Sequence, residues 1–201
     1  MREQIDEVLQ FWFGDLKEGF PVADKSALWW GGSQEIDQQI TELFANRVRQ
    51  ALQGTLDSWK ETPRGRLALI LLLDQFTRNI YRGSGAAFSG DAQALAITQE
   101  SIQLGYDQAL EFTERLFLYM PLEHAESLPA QDLSVSCMAE LTAQIPVDRR
   151  GMFENVLDFA VQHRDVIKRF GRFPHRNQAL ERESTEDELA YLNQSHARWG
   201  Q

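Results

Sequence analysis

The chain has 201 residues, of which 43% are apolar and 25% are charged, as expected for a folded globular protein rather than a disordered, collagen-like or coiled-coil chain. This length fits a single domain, predicted over residues 1–201, that buries its own core. The net charge of −10 repels phosphate backbones and anionic lipid surfaces, so general binding to nucleic acid or to a membrane is not expected.

Cysteine use and hydropathy indicate a cytoplasmic protein. Cys137 is the only cysteine, so no intramolecular disulfide is expected, and its apolar surroundings favour a packed small residue over a nucleophile. The charged first residues are not followed by the apolar stretch of a signal peptide. The longest apolar run, residues 67–73, is far shorter than the roughly 20 residues that a membrane span needs.

Apolar residues recur at spacings of three and four along most of the chain, which indicates amphipathic helices. Residues 19–33 and 83–90 are predicted to be loops. Pro63 is expected to open one helix, Asp91 to cap another and Pro121 to interrupt a third. In chain order, a first helix ends at Gly14 and the others cover residues 33–54, 56–62, 63 to about 81, 91–105, 107–120, 122–128, 129–145, 148–170 and 185–193.

Strand signals are nearly absent, because the chain has no alternating runs of β-branched residues and no Asn-Gly or Asp-Gly turn. The sequence therefore predicts an all-α fold of about eight helices. Short loops between them favour antiparallel helix pairs, packed as a bundle or as a curved stack. No self-similar repeat is visible.

A first group of polar residues follows the apolar run of residues 67–73 without an amphipathic transition. Asp74 and Arg78 are four residues apart on one helix face, and so are Gln75 and Asn79. A buried carboxylate must be paired or take up a proton, and Arg78 is the obvious partner of Asp74. The pair is either a structural ion pair or part of a site, and the poor net stabilisation by buried ion pairs favours a site.

A second group, at the predicted break in the helix near Pro121, comprises Glu123, His124 and Glu126. The two glutamates share a face if this segment is helical, and a histidine flanked by carboxylates is expected to be more basic than a free one. The segment is either an exposed charged loop or part of a site.

A third group begins at His163, which lies in the apolar stripe of the long helix over residues 148–170 and so faces inward. Residues 163–177 carry a local charge of +4 in an otherwise acidic chain. Arg172, His175 and Arg176 lie on the turn that follows Gly171, where two guanidinium groups could bind a carboxylate or a phosphate. Alternatively, the arginines neutralise internal acids such as Asp74 and Glu126.

The aromatic clusters Phe11-Trp12-Phe13 and Trp29-Trp30 are expected to be core residues rather than a stacking platform for a ligand. No nucleophile elbow, phosphate-binding loop or His-Glu-x-x-His zinc pair is present, and no cofactor is expected. A metal bound by His124, Glu126, His163 and His175 is a weaker alternative, because no short ligand spacing supports it.

Several motifs in order resemble the bacterial DUF924 family. They are Phe11-Trp12-Phe13-Gly14, the segment Leu73-Asp74-Gln75-Phe76-Thr77-Arg78-Asn79-Ile80-Tyr81-Arg82, Ala87-Phe88-Ser89-Gly90-Asp91, Pro121-Leu122-Glu123-His124-Ala125-Glu126, and residues 169–177 with Ser184-Thr185. The resemblance spans almost the whole chain. It implies a tetratricopeptide-like, right-handed stack of helix pairs, but it implies no function, because the family is uncharacterised. Where the family pattern has glycine after Leu180, this chain has Glu181, which argues against a tight turn there.

The motif positions form a hypothetical site for a small anionic ligand. In this hypothesis Arg172 and Arg176 bind the anion, and His124 or His163 serves as general acid or base, oriented by Asp74 or Glu126. Hydrolysis or proton transfer is the expected reaction class if the site is catalytic. The further ligand-binding candidates are Gln75, Arg78, Asn79, His175 and Asn177.

Two other hypotheses remain open from the residues alone. A helical-repeat scaffold could bind an acidic peptide tail or a C-terminal carboxylate on its concave surface. The same charged residues could instead form a purely structural ion network that fixes the order of the helices. The sequence gives no oligomeric state.

Overall fold

A computed structural model describes residues 1–193 and confirms the all-α class. A two-residue antiparallel hairpin, β1 (Leu16–Lys17) with β2 (Phe20–Pro21), is the one sheet in this part of the chain. The helices are α1 (Arg2–Phe13), α2 (Ser26–Trp30), α3 (Gln34–Leu52), α4 (Pro63–Ile70), α5 (Thr77–Ile80), α6 (Asp91–Gln103), α7 (Phe112–His124), α8 (Leu128–Gln144), α9 (Gly151–Phe170) and α10 (Glu186–Leu192).

The centre of the molecule is one continuous helix formed by α4, a π-helical segment (Leu71–Phe76) and α5. Residues 65–77 are all buried, as the uninterrupted apolar run predicts, and the helix packs against α1, α3, α6 and α7. Thr62 caps this helix by accepting a hydrogen bond from the Gly65 amide, and Pro63 occupies the first turn as predicted. The π segment was not predicted, and such segments often occur at functional sites.

Helices that are adjacent in sequence also pack together on the other side of the core, where α8 lies against both α7 and α9. Gly171 ends α9 in a left-handed conformation, as predicted. The tetratricopeptide-like order of the helix pairs stays a prediction. No helix within residues 1–193 combines the length and the apolarity needed to cross a bilayer.

The structure differs from the predictions of local secondary structure at several positions. Residues 19–33 contain a strand and the short helix α2 rather than only a loop. The short helix expected over residues 56–62 is present as a 3-10 helix, Asp57–Glu61. Gly90, not Asp91, is the capping residue of α6. Pro121 lies inside α7 and does not interrupt it, so α7 continues to His124 and the predicted separate turn over residues 122–128 is absent.

The aromatic residues of α1 and α2 differ in their environment. Trp12 and Phe13 are buried in the core, as expected, with the Trp12 ring 5.4 Å from the rings of Phe76 and Phe117. Trp29 is only partly buried and Trp30 is 47% exposed, so the second aromatic pair is not a core pair. Cys137 is partly buried, and burial raises the pKa of its thiol to about 11, which fits a packed residue rather than a nucleophile.

Candidate functional site

A cavity of ≈ 830 Å³ opens between α2, the central helix, the end of α7, α9 and the turn Pro174–Arg176. Its wall contains both apolar and polar side chains. The apolar and aromatic residues include Leu28, Trp29, Trp30, Met120, Met152, Val156 and Phe159. The polar residues include Gln75, Arg78, Asn79, Arg82, Glu123, His124, His163, His175 and Arg176.

Asp74 lies directly behind this wall and holds His124 in place. Both carboxylate oxygens of Asp74 contact the Nδ1 atom of His124, at 2.8 and 3.0 Å. The side chain of Asp74 has no exposed surface, whereas the His124 ring is 13% exposed. Because an ionised carboxylate only accepts hydrogen bonds, His124 Nδ1 carries the proton and donates it to Asp74. The Nε2 atom of a neutral His124 is therefore an acceptor.

The charge state of this pair follows from its burial. Burial by itself would raise the pKa of the Asp74 carboxyl, but Arg78 and His124 together hold that pKa far below its usual value. Burial lowers the pKa of His124, although Asp74 opposes this shift. The expectation that flanking carboxylates make His124 more basic is therefore wrong, because desolvation outweighs them. At neutral pH the pair is a carboxylate and a neutral imidazole.

Two arginines of the wall share one carboxylate that lies behind them. Arg78 contacts Asp74 at 3.1 Å and Asp91 at 3.0 Å, and Arg176 contacts Asp91 at 3.3 Å. The Arg176 guanidinium lies over the rings of Phe88 and Phe173, at 4.6 and 4.5 Å from their centroids. Burial, and then the neighbouring Arg78, lowers the pKa of Arg176 to about 10. Arg176 is thus a largely desolvated cation at neutral pH.

Gln75 and Asn79, which are four residues apart on the central helix, bind different partners. Gln75 donates a hydrogen bond to Asp74 at 2.6 Å, and Asn79 donates one to Asp37 of α3 at 2.8 Å. Arg82, which also lines the cavity, binds the same Asp37 carboxylate at 2.6 Å. Gln75 thus supports the Asp74–His124 pair, while Asn79 ties the end of the central helix to α3.

His163 faces inward from α9, as its place in the apolar stripe predicted. Its Nδ1 atom is 2.8 Å from the carbonyl oxygen of Phe159 and 3.2 Å from Oε1 of Glu123. Burial lowers the pKa of His163 to about 3, so the ring is neutral. His175, which also lines the cavity, is shifted to about 3, first by burial and then by Arg176.

Arg172, Asn177 and Glu126 lie outside the cavity, in a second cluster that we call the C-terminal clamp (Glu126, Arg172, Asn177, Arg182 and Glu188). Arg172 binds both carboxylate oxygens of Glu188, at 2.6 and 2.8 Å, and Asn177 donates to Glu188 at 3.2 Å. Arg182 binds both oxygens of Glu126, at 2.7 and 2.9 Å, and the Phe173 amide also donates to Glu126.

The clamp corrects several expectations. Arg172 and Asn177 do not line the cavity, and Glu126 does not bind a cavity histidine. Each of the three is bonded within the clamp instead. Glu126 also shares no helix face with Glu123, since α7 ends at His124. The predicted partners of the arginines differ too: Arg172 pairs with Glu188, and Arg176 pairs with Asp91. In the described part of the chain, no group of three His, Cys, Asp or Glu side chains is arranged to hold one metal ion.

Sequence reasoning missed some residues of the site. Asp91 was interpreted as a helix cap, although the Ser89-Gly90-Asp91 motif was a signal that its side chain matters. Trp29 and Trp30 were assigned to the core, but they form the cavity wall with Phe159 of α9. The one sequence feature that could have indicated this role is the position of the two tryptophans, directly before two glycines in a predicted loop.

A sequence model of a bacterial protein family of unknown function, DUF924, matches residues 8–196. This chain belongs to the DUF924 family. The solved structure of a protein of unknown function from Agrobacterium tumefaciens is 34% identical to this DUF924 protein and superimposes with a TM-score of 0.79. That match covers 96% of this chain and 98% of the other. No curated protein matches the sequence.

Proposed function

We propose that this DUF924 protein binds a small anionic molecule with an apolar body in the cavity, and that His124 exchanges a proton with it. The observation that carries this proposal is the convergence on one cavity wall of His124, held by Asp74, with Arg78, Arg82 and Arg176. Hydrolysis or proton transfer is the reaction class that this set supports. The cytoplasm stays the predicted location.

The charges on the wall support an anionic ligand. Three arginines line the cavity, whereas their carboxylate partners Asp37, Asp74 and Asp91 do not, so a ligand meets the cations first. Guanidinium groups bind carboxylates and phosphates with good geometry, and their attraction is stronger where water is partly excluded. The tryptophans and Phe159 in the same wall offer apolar and aromatic surface for the rest of the molecule.

His124 is the best general base of the three cavity histidines. Its Nδ1 proton is held by a carboxylate, which fixes the tautomer and stabilises the imidazolium that forms when Nε2 takes a proton. The Nδ1 atom of His163 is instead hydrogen-bonded to a backbone carbonyl oxygen, and burial lowers the pKa of His163 to about 3. A base of that pKa is a poor proton acceptor at neutral pH.

The binding part of the proposal is tested by comparing two arginines that the structure separates. Thermal shifts are measured with aromatic carboxylates, phosphate monoesters and short acidic peptides on the wild type, Arg176→Met and Arg172→Met. We expect a small anion to raise Tm in the wild type and in Arg172→Met but not in Arg176→Met. Equal shifts in all three proteins would contradict the assignment of the anion to the cavity, and shifts with peptides alone would favour a peptide scaffold.

The catalytic part is tested on whichever ligand has a hydrolysable or proton-exchanging bond. His124→Gln is expected to lower kcat about 100- to 10,000-fold while the ligand still binds. Because His124 must be neutral to act as a base, the rate is expected to fall on acidification below the ordinary histidine pKa of about 6.5. His163→Gln is the matched control, and an equal loss of kcat in both variants would show that the histidines act structurally.

A further inference from the structure

Glu123 is a buried acid on the cavity wall, and one of its carboxyl oxygens has no hydrogen-bond partner among the residues that the structure describes. Its side chain is 5% exposed and contributes to the wall next to His124. Oε1 lies 3.2 Å from His163 Nδ1, and the hydrogen bond of that nitrogen goes to the Phe159 carbonyl oxygen. Oε2 is buried and has no hydrogen-bond partner within residues 1–193.

The groups that face Glu123 leave it uncharged at neutral pH. Burial, and then the ionised Asp74 on the central helix, raises the pKa of Glu123 to about 8. His163 on α9 and His124 on the same helix are both neutral. No arginine or lysine of the described chain forms an ion pair with it. Glu123 therefore carries a proton.

The place of that proton follows from the hydrogen bonds already made. Oε1 lies 3.2 Å from His163 Nδ1, whose hydrogen bond goes to the Phe159 carbonyl oxygen, so we place the acidic hydrogen on Oε2, for which residues 1–193 supply no acceptor. A buried donor without an acceptor costs free energy. The terminal torsion of glutamate is broad, so rotation of the carboxyl group can direct its O–H into the cavity that Glu123 lines.

We propose that Glu123 is a ligand-recognising acid that donates a hydrogen bond to an oxygen of the bound molecule, so that the cavity selects carboxylates carrying a second oxygen, such as oxo or hydroxy acids. This inference rests on the proposed function, in which the arginines bind the carboxylate. An uncharged acid attracts a carbonyl or hydroxyl oxygen without repelling the anionic head of the same molecule, which an ionised glutamate would do. It is also placed to give its proton to that oxygen if charge develops there.

The experiment compares three carboxylates that share a phenyl ring. Phenylpropionate has no ketone oxygen, phenylpyruvate has the same carbon skeleton with a ketone next to the carboxylate, and benzoylpropionate, which is one carbon longer, carries its ketone next to the ring. Affinities are measured by calorimetry at about pH 6 and about pH 9.5, below and above the pKa of Glu123. At the lower pH, wild-type protein is expected to bind one keto acid roughly tenfold more tightly than phenylpropionate. This preference is expected to disappear at the higher pH, where Glu123 is ionised.

Two variants separate hydrogen bonding from shape. Glu123→Gln keeps a neutral donor and is expected to retain the preference at both pH values. Glu123→Leu keeps an apolar group of similar size and is expected to lose the preference while still binding phenylpropionate. If wild-type protein binds all three carboxylates equally, the role of Glu123 is overturned but the anionic cavity stands. If it binds none of them, the proposed function falls as well.

The protonation of Glu123 is also measurable without any ligand. Carbon NMR of glutamate-labelled wild type and Glu123→Gln assigns the Glu123 carboxyl signal, whose titration is then followed with pH. A midpoint near 8 is expected from the burial of this group. A midpoint near the ordinary value of 4.5 would show a charged glutamate at neutral pH and would overturn the inference even if Glu123→Leu failed to fold.

Discussion

The cavity wall and the C-terminal clamp are built from the same kinds of residues, yet they differ in how completely those residues are paired. In the clamp, Glu188 accepts hydrogen bonds from Arg172, Asn177 and the Thr185 amide, and Glu126 accepts from Arg182 and a backbone amide. On the cavity wall, Arg78 and Arg176 share Asp91, and Glu123 leaves one oxygen unpaired.

This difference shows that a cationic stretch of sequence is not by itself a binding site. Both regions contain arginines from the same cluster of charges after His163, and nothing in the spacing of these residues separates Arg172 from Arg176. A guanidinium whose donors are all used by the protein stabilises a turn, whereas one that shares its counter-ion and borders a cavity has attraction left for a ligand.

The largest effect in this comparison is expected from Asp74→Ala. It removes a fully buried carboxylate from Arg78, His124 and Gln75 and leaves a buried cation with one partner fewer. Breaking a buried pair in this way is expected to lower the free energy of unfolding by about 3–5 kcal/mol, measured by urea denaturation. Glu7→Ala, which removes the surface partner of Arg47, is the control and should cost less than about 1 kcal/mol. Similar losses in both variants would show that Asp74 is not the ionic centre of the region.

Gly90→Ala tests whether close packing at Gly90 positions Asp91, the carboxylate that Arg78 and Arg176 share. A β-carbon at Gly90 would lie 2.2 Å from the carbonyl oxygen of Leu73, so α6 would have to move away from the π segment and carry Asp91 with it. We expect a loss of about 1–3 kcal/mol in the free energy of unfolding and a weaker response to anions. Gly151→Ala is the control, because nothing lies within 4 Å of the added carbon. It should leave the response to anions unchanged and, at the first residue of α9, raise the free energy of unfolding by at most about 1 kcal/mol.

Acid should affect the two regions over different pH ranges. The folded protein holds His163 neutral down to about pH 3, whereas the unfolded chain protonates it near 6.5, so its contribution to stability is lost as the pH falls from 6.5. Hydrogen bonds, above all those from Arg172, lower the pKa of Glu188 to about 2. The contribution of Glu188 to the stability of the folded protein is therefore lost only when the pH falls below about 4.5. His163→Gln is expected to flatten the upper part of the curve of unfolding free energy against pH, and Glu188→Gln the lower part. The opposite assignment of the two ranges would contradict these charge states.

The smallest effect is expected from Glu181→Gly, beside the clamp. Glu181 has a φ of 54°, in the left-handed region, so the tight turn is present even though glycine is absent. Glycine would relieve the strain but lose entropy on folding, which gives a net gain of at most about 1 kcal/mol in the free energy of unfolding. Glu181→Val, which is β-branched, should instead be destabilising in the same thermal or urea unfolding assay. A stabilising valine would show that the turn is not strained.

The fold was more predictable than the site. The apolar run over residues 67–73 predicted a helix buried on all sides, and Pro63 and Gly171 marked helix ends correctly, because these signals act within one or two turns. The π segment and the helical Pro121 were missed, since neighbouring helices stabilise both against local preference. Asp74, His124, His163 and Arg176 were brought together as expected. The charge state of His124 was predicted wrongly, because its pKa depends on how much water the folded structure excludes.

By itself the sequence determined the all-α class, the position of most helices and the presence of polar groups that had to be buried, since each depends on residues close together along the chain. Only the tertiary structure decided which partner each charge takes. Asp74 meets His124 across 50 residues and Arg176 meets Asp91 across 85. Spacing along the chain cannot encode such contacts, because they form only when the helices have packed and the competing acids have been placed elsewhere.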